Sequence, residues 1–271
     1  MADIDDVRRY WDRFPLLSHE IREVGTPAFF ETLDRIKRTD SERFAIRFWE
    51  FEKFHGKRVL DVGCGPGWFT VQYAAAGALV DAVDIAPSAV EIARNHLAYR
   101  GLGANVNIGN AEALPFPDGT FDLVFSSGVL HHTPDTLKAV RECRRVLKPG
   151  GCAKITLYRK GFAHGRFGFA VTRFVMRLAR IRHPGADLAR DARDADDFIR
   201  QYDGTGNPVG IAMKNSEWAG LLEKAGFRIR QSEVHFFPRR FLPFARLVPE
   251  ILHRFLDAHI GTMVYFDLTA A

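Results

Sequence analysis

Apolar positions recur at helical spacing through the first 56 residues, and the period then changes. In DDVRRYWDRF, Val7, Tyr10, Trp11 and Phe14 fall on one helical side. TPAFFETLDRIKR opens with Thr26 as N-cap and Pro27 at the first helical position. SERFAIRFWEFEKFHG places Phe44, Phe48 and Phe51 together and predicts a further helix stopped by Gly56. From Arg58 the chain alternates short β-rich runs with helical ones. RVLDV, ALVDAVDI, ANVNIGN, FDLVFSS and CAKITLY read as five strands. Between them, WFTVQYAAAG predicts a helix ending at Gly77, and APSAVEIARNHLAYRG one ending at Gly101. TPDTLKAVRECRRVLKPGG predicts another, starting at Thr133 and Pro134.

The alternation stops over residues 158–214. It returns with NSEWAGLLEKAGF, a helix capped by Asn215 or Ser216 and stopped by Gly226. RIRQSEVHFF is a sixth strand and GTMVYFDLTA the last, with a second insertion containing an apolar helix over 237–260. Strands alternating with helices at this spacing make parallel βαβ units. The predicted fold is α/β: a Rossmann-like, doubly wound sheet preceded by N-terminal helices and interrupted by a helical insertion after strand 5. Three segments follow: a helical cap over 1–56, a core over 57–157 and 215–271, and an insertion over 158–214 that serves as lid.

Length and charge narrow the picture only a little. The 271 residues suffice for one large domain with an insertion. A formal net charge of +5 permits an anionic substrate or membrane surface and does not by itself argue for nucleic acid. The three cysteines, Cys64, Cys143 and Cys152, have no metal-ligand spacing and read as reduced thiols. No metal is expected. The N-terminus is charged from residue 3 and has no apolar signal core, and no run of about 18 apolar residues occurs, so a cytoplasmic location is expected.

The chemistry concentrates in VLDVGCGPGWF, from Val59 to Phe69. A strand, a glycine turn and a helix make a corner where amides point at a ligand and the backbone is bare. Gly63, Gly65 and Gly67 supply the turn, and Asp84 ends the second strand 21 residues after Gly63, placed to bind a ribose diol. Dinucleotide sites want G-x-G-x-x-G; here the position three after Gly65 is Trp68. Asp61, two residues before the first glycine, would repel a pyrophosphate and suits an ammonium group.

VLDVGCGPG, VDAVDIAPSAVEIAR, GNAEALPFPDGTFDLVFSSGVLHHTPD and VLKPGG follow one another in order. The set resembles the class I S-adenosylmethionine-dependent methyltransferases, in the small-molecule branch related to the ubiquinone and menaquinone enzymes. It covers residues 57–157 and, more weakly, 215–235. The resemblance implies a seven-stranded sheet whose last strand is antiparallel, and S-adenosyl-L-methionine as cofactor. It implies that Asp61 and the backbone of Gly63, Cys64, Gly65 and Gly67 hold the methionine end. Asp84 would bind the ribose, Ile85 would lie against the adenine, and Asn110, Ala111 and Glu112 would read its edge. The family often has Asp where this chain has Asn110; an amide can accept through oxygen or donate through nitrogen. Ser126, Ser127 and Gly128 would border the sulfonium. Tyr10 and Trp11 would close the pocket by cation–π attraction, or simply form the buried face of their helix.

Methyl transfer from a sulfonium needs alignment and exclusion of water, and a base only for a nucleophile that keeps its proton. His132 and His131 in LHHTPD are the candidate bases; the other reading is packing or capping. YDGTGNP, with Asp203, Gly204 and Asn207, is a turn that enters the pocket or stays at the surface. Residues 158–183 and 236–256 interleave phenylalanines with arginines. They fit an amphipathic lid, an apolar or aromatic acceptor pocket, or peripheral contact with anionic membrane. The acceptor is expected to be a small apolar or aromatic molecule, methylated at O, N or C, with no nucleic-acid partner. The chain is expected to be a monomer or homodimer. An NAD-dependent oxidoreductase and a non-catalytic cofactor-binding module are the competing readings.

Overall fold

Continuous runs of buried apolar residues, rather than alternating ones, mark strands covered on both faces. In the computed structural model, which describes residues 2–16, 21, 23–161, 168–170, 174, 197, 204, 206–239 and 247–270, such runs form the middle of a single sheet whose edge strands are more exposed. Its strands are β1 (Arg58–Val62), β2 (Leu79–Asp84), β3 (Asn105–Ile108), β4 (Phe121–Ser127), β5 (Leu147–Tyr158), β6 (Phe227–His235) and β7 (Met263–Ala270). Their order is β3-β2-β1-β4-β5-β7-β6. Strands β1 to β5 pair in parallel, and β7 lies antiparallel between β5 and β6. The seven-stranded Rossmann-like sheet with an antiparallel last strand is therefore present. The order reverses between β1 and β4, and ligands of such sheets bind at the strand ends at that crevice.

Helices α1 (Ile4–Arg13) and α2 (Pro27–Ile36) precede the sheet. Helices α3 (Trp68–Ala75), α4 (Pro87–Arg100) and α5 (Thr136–Arg145) connect its parallel strands; α6 (Asn215–Lys224) and α7 (Glu250–Ile260) follow β5 and β6. Thr26 caps α2 through its side chain, as its position before Pro27 predicts. Several boundaries differ from the sequence reading: β5 begins at Leu147, five residues before the expected Cys152. The helix expected across 41–56 is broken: a π-turn over Lys37–Ser41 gives way to two 3-10 turns, Ile46–Trp49 and Phe51–Phe54, separated by Glu50 at φ 47°. Helix α5 begins at Thr136, because the Asp135 side chain accepts from Lys138 N–H at 3.0 Å. At α6 the Glu217 carboxylate accepts from Lys214 N–H at 2.7 Å, so neither Asn215 nor Ser216 is the cap.

The N-terminal elements share a core with the sheet. Phe29, Phe30, Leu33 and Trp49 pack in one buried cluster with Trp68, Phe69, Tyr73 and Phe125. Buried charges tie the same parts together. Glu42 accepts from Trp49 Nε1 at 3.0 Å and from the Tyr265 hydroxyl at 3.3 Å. Lys154, in the middle of β5, pairs with Glu50 at 3.0 Å. Removing one partner of such a pair strands a buried charge, so these contacts fix the register of the cap on the sheet.

Most of the insertion over 158–214, with Asp203 and the arginine-rich stretch 175–183, lies outside the described residues. Helix α7 is held by His235, which contacts Asp257 at 2.6 Å and Glu233 at 2.9 Å. Among the described residues no helix is long and apolar enough to cross a membrane.

Candidate active site

The turn between β1 and α3 folds as it does because its three glycines serve two purposes. A Cβ on Gly63 would lie 2.4 Å from Val129, and one on Gly67 2.9 Å from the Ala93 Cβ, so both allow close packing. Gly65 sits at φ 49° and a Cβ there would meet nothing within 4 Å. Its bareness therefore serves open space. That space is a cavity of about 1040 Å³, counting its mouth, lined by Gly63 and Gly65 of the turn, Asp61, Asp84, Asn110, Trp11, Lys37 and His132.

Asp61 is 2% exposed and accepts from Thr70 Oγ1 at 2.6 Å. Burial pushes its pKa up to about 7; the Thr70 hydrogen bond and the Lys37 charge oppose this, and the Asp84 charge adds to it. A buried carboxylate held at that point is a receptor for a cation. Asp84 accepts from Gly65 N–H at 2.8 Å and from Ala86 N–H at 3.0 Å, which ties the glycine turn to the end of β2. Burial raises its pKa as well, against these backbone hydrogen bonds.

Asn110 Oδ1 accepts from Glu112 N–H at 2.9 Å. Since a backbone N–H needs an acceptor, the oxygen is on that side and the amide Nδ2 is left as the donor end. Ile85, Ala111, Cys64, Ser127 and Gly128 also line the cavity. Burial holds the Cys64 thiol well above its ordinary pKa, which makes it inert.

Five of the predicted residues are not in the wall, Gly67 among them, whose Cα faces Ala93. Ser126 donates to Val62 O at 2.8 Å and is fully buried. The Glu112 carboxylate accepts from Asp135 N–H at 2.9 Å and so joins the turn after β3 to the start of α5. Tyr10 packs against Phe14, with ring centroids 5.3 Å apart. His131 is fully buried, 3.9 Å from the Tyr158 ring, and burial followed by the His132 charge drives its pKa well below the usual value.

His132 and Trp11 do meet at the cavity, with ring centroids 5.2 Å apart in an edge-on arrangement. Helix α1 reaches this place because Asp12 accepts from Ser88 N–H at 2.8 Å, at the start of α4. His132 Nδ1 lies 2.6 Å from Val209 O. A carbonyl only accepts, so Nδ1 carries the proton and Nε2 holds the lone pair in the neutral ring.

Lys37 escaped the sequence reading. Its Nζ lies 4.8 Å from the Phe69 ring centroid and 3.6 Å from Glu42 Oε1, at the cavity wall. The π-turn that puts it there has no sequence signal; a lone lysine at the end of a helical pattern reads as solvated. The wall thus offers a carboxylate for an ammonium, an ammonium for a carboxylate, a bare turn between them and a carboxylate at a second strand end. This set fits a zwitterionic amino acid joined to a nucleoside. A pair of phosphates would face Asp61.

Comparison with known proteins gives the family. The methyltransferase-domain family matches residues 60–155. The ubiquinone biosynthesis O-methyltransferase of Thiobacillus denitrificans is 33% identical over 165 residues, covering 57% of this chain and 70% of the relative. The enzyme of that name from Coxiella burnetii is 28% identical over 184 residues, covering 68% of this chain and 69% of the relative. The crystal structure of an S-adenosylmethionine-dependent methyltransferase from Mesorhizobium loti shares the fold, with a TM-score of 0.57 at 22% identity over 84% of this chain and 97% of that one. The chain belongs to the S-adenosylmethionine-dependent methyltransferases, and S-adenosyl-L-methionine is its cofactor.

Proposed function

We propose that the chain methylates a hydroxyl group of a small aromatic molecule, with His132 as the base and the glycine turn as the cofactor cradle. The observation that carries this is the single cavity with Asp61, Gly65 and Asp84 lining one part of its wall and His132 with Trp11 lining another. The O-methyltransferase names of the relatives support oxygen as the methylated atom, and a phenol related to quinone precursors as the acceptor class.

The cofactor supplies a methyl already activated by its sulfonium. The chain's residues do the rest. Asp61 holds the ammonium of the methionine end, and Lys37 its carboxylate. Asp84 takes the ribose hydroxyls, Ile85 lies against the adenine, and Asn110 donates to a ring nitrogen. Ser127 and Gly128 border the methyl's path. His132 Nε2 would take the phenolic proton and leave the phenolate oxygen as methyl acceptor. Trp11 and the apolar residues Ile4 and Val7 of α1 exclude water from the same cavity. Residues 1–56 act as a cap over a core of 57–157 and 215–271, with 158–214 as a lid. We place this activity in the cytoplasm.

The test is a screen of phenols, catechols and quinone-like acceptors that reads S-adenosylhomocysteine release. Turnover of hydroxylated aromatics and its loss in their methyl ethers is expected. Turnover confined to amines, or none with any phenol, would overturn the reading.

A further inference from the structure

The Gly63–Gly67 turn is fixed peptide by peptide from the elements around it. The Ser126 hydroxyl donates to Val62 O at 2.8 Å, and Gly63 N–H and Cys64 N–H donate to Val83 O at 2.8 and 3.1 Å. Gly65 N–H donates to Asp84 at 2.8 Å. The peptide between Pro66 and Gly67 is held differently. Its N–H donates to Cys64 O at 2.9 Å, within the turn itself. Its carbonyl meets His96 of α4, whose Nδ1 lies 3.0 Å from Pro66 O. Gly67 stands at φ 75° and, as glycine, tolerates the opposite sign, so this peptide can turn over at little backbone cost. Pro66 before it and Trp68 after it line the cavity. His96 is fully buried, and its ring stacks on Phe30 of α2 with centroids 4.2 Å apart and planes 6° from parallel. Burial lowers its pKa, against the hydrogen bond to Pro66, so the ring is neutral at pH 7. A carbonyl only accepts, so Nδ1 carries the proton. Nε2 is enclosed, with no hydrogen-bond partner among the described residues.

We propose that His96 is a positioning residue for the cofactor: its Nδ1–H fixes the Pro66–Gly67 peptide, so that the turn has its binding shape before S-adenosyl-L-methionine arrives. This rests on the reading of the glycine turn as the cofactor cradle. An apolar side chain would fill this enclosed place without stranding a nitrogen, so what the imidazole contributes is its donor. A turn that must find its shape as the ligand binds loses affinity to that ordering, and a turn already fixed does not. Two helices share the task. Ala93, three residues before His96 on α4, is what a Cβ on Gly67 would strike at 2.9 Å, so one helix sets both the approach and the orientation of the turn. Phe30 backs the ring from α2, and Asp34 of the same helix accepts from Trp68 Nε1 at 2.9 Å, one residue beyond Gly67. The N-terminal helices therefore act on the cofactor site through the His96 ring as well as through Lys37.

The experiment measures S-adenosylhomocysteine affinity by calorimetry, and the melting temperature of the free protein, in the full chain carrying His96→Leu, His96→Gln or His96→Asn. The asparagine amide reaches the place of Nδ1, and the glutamine amide the place of Nε2. His96→Leu and His96→Gln are expected to bind about tenfold or more weakly than the parent. His96→Asn restores the donor without the ring stack and is expected to bind within about threefold of the parent. Leucine binding like the parent, asparagine binding no better than leucine, or affinity that merely tracks the melting temperature across the variants overturns the proposal. A measurement on the parent stands apart from the behaviour of the variants: 15N NMR of the free protein, with the His96 signals assigned by their loss in His96→Asn, should show a protonated Nδ1 and a bare Nε2. A bare Nδ1 overturns the proposal. The cradle reading fails separately. Normal binding by His96→Leu beside weak binding by Gly65→Ala overturns the proposal alone, whereas normal binding by Gly65→Ala removes the cradle and the proposal with it.

Discussion

The hydroxyl of Thr70 donates to the carboxylate of Asp61 at 2.6 Å, across the corner between α3 and β1. That single hydrogen bond does not offset burial, and the carboxyl stays protonated up to about pH 7. Asp61 therefore lies above its ordinary value of 3.8 in the fold. Its contribution favours the fold at low pH and is lost as pH rises through 7.

Cofactor binding reverses this. An ammonium placed on Asp61 favours the ionised form, so the complex forms with proton release. Calorimetry of S-adenosylhomocysteine binding in buffers of different ionisation enthalpy should show release approaching one proton at about pH 6 and almost none at about pH 8.5. Asp61→Asn should abolish the release at pH 6 and weaken binding by about tenfold or more. Unchanged proton release in Asp61→Asn would place the titrating group elsewhere.

Lys37 and Asp61 make opposite demands on a ligand, and this separates the two ends of an amino acid. Lys37→Met is expected to weaken S-adenosylhomocysteine binding by about tenfold while leaving 5′-methylthioadenosine, which lacks the amino-acid carboxylate, within about twofold. Equal losses for both ligands would mean that Lys37 acts only through packing on Phe69.

The glycines should fail differently. Gly63→Ala puts a methyl into Val129 at φ 80° and is expected to cost about 2 kcal/mol or more of stability, read as a lowered denaturant midpoint. Gly65→Ala has room, at φ 49°, and should cost only about 1 kcal/mol or so of stability while sharply reducing cofactor affinity. If the two variants lose stability equally and Gly65→Ala binds normally, the open side of Gly65 is not the cradle.

His132→Ala should lower turnover of a phenol by about 100-fold with S-adenosylhomocysteine affinity nearly unchanged. Recovery of rate as pH rises toward the phenol's own ionisation would confirm that the lost group is the base. A near-normal rate at pH 7 would leave His132 as a wall residue.

The sheet was legible because each strand–helix unit carries its own punctuation: Gly77 and Gly101 sit where helices stop, and Thr26 caps where it stands. Asp61, Gly65 and Asp84 were legible for the same reason, being fixed by the local strand–turn–helix geometry. What sequence reading missed depends on distant partners. Glu50 takes a left-handed conformation without glycine, with its carboxylate held by buried Lys154 more than 100 positions away. Lys37 reaches the cavity only because Asp34, Glu42, Trp68 and Phe69 shape the turn around it. Glu112 looked like an adenine reader by position, yet its carboxylate holds Asp135 N–H. Asn207 gave only a turn signal, and nothing local says that His132 is its neighbour.

A crystal structure with S-adenosylhomocysteine tests the cofactor cradle most directly. Its amino group should lie within hydrogen-bonding distance of Asp61, its carboxylate should face Lys37 and its ribose hydroxyls should lie on Asp84. A nucleoside bound away from the Gly63–Gly67 turn, or an amino-acid tail pointing out of the cavity, would contradict it.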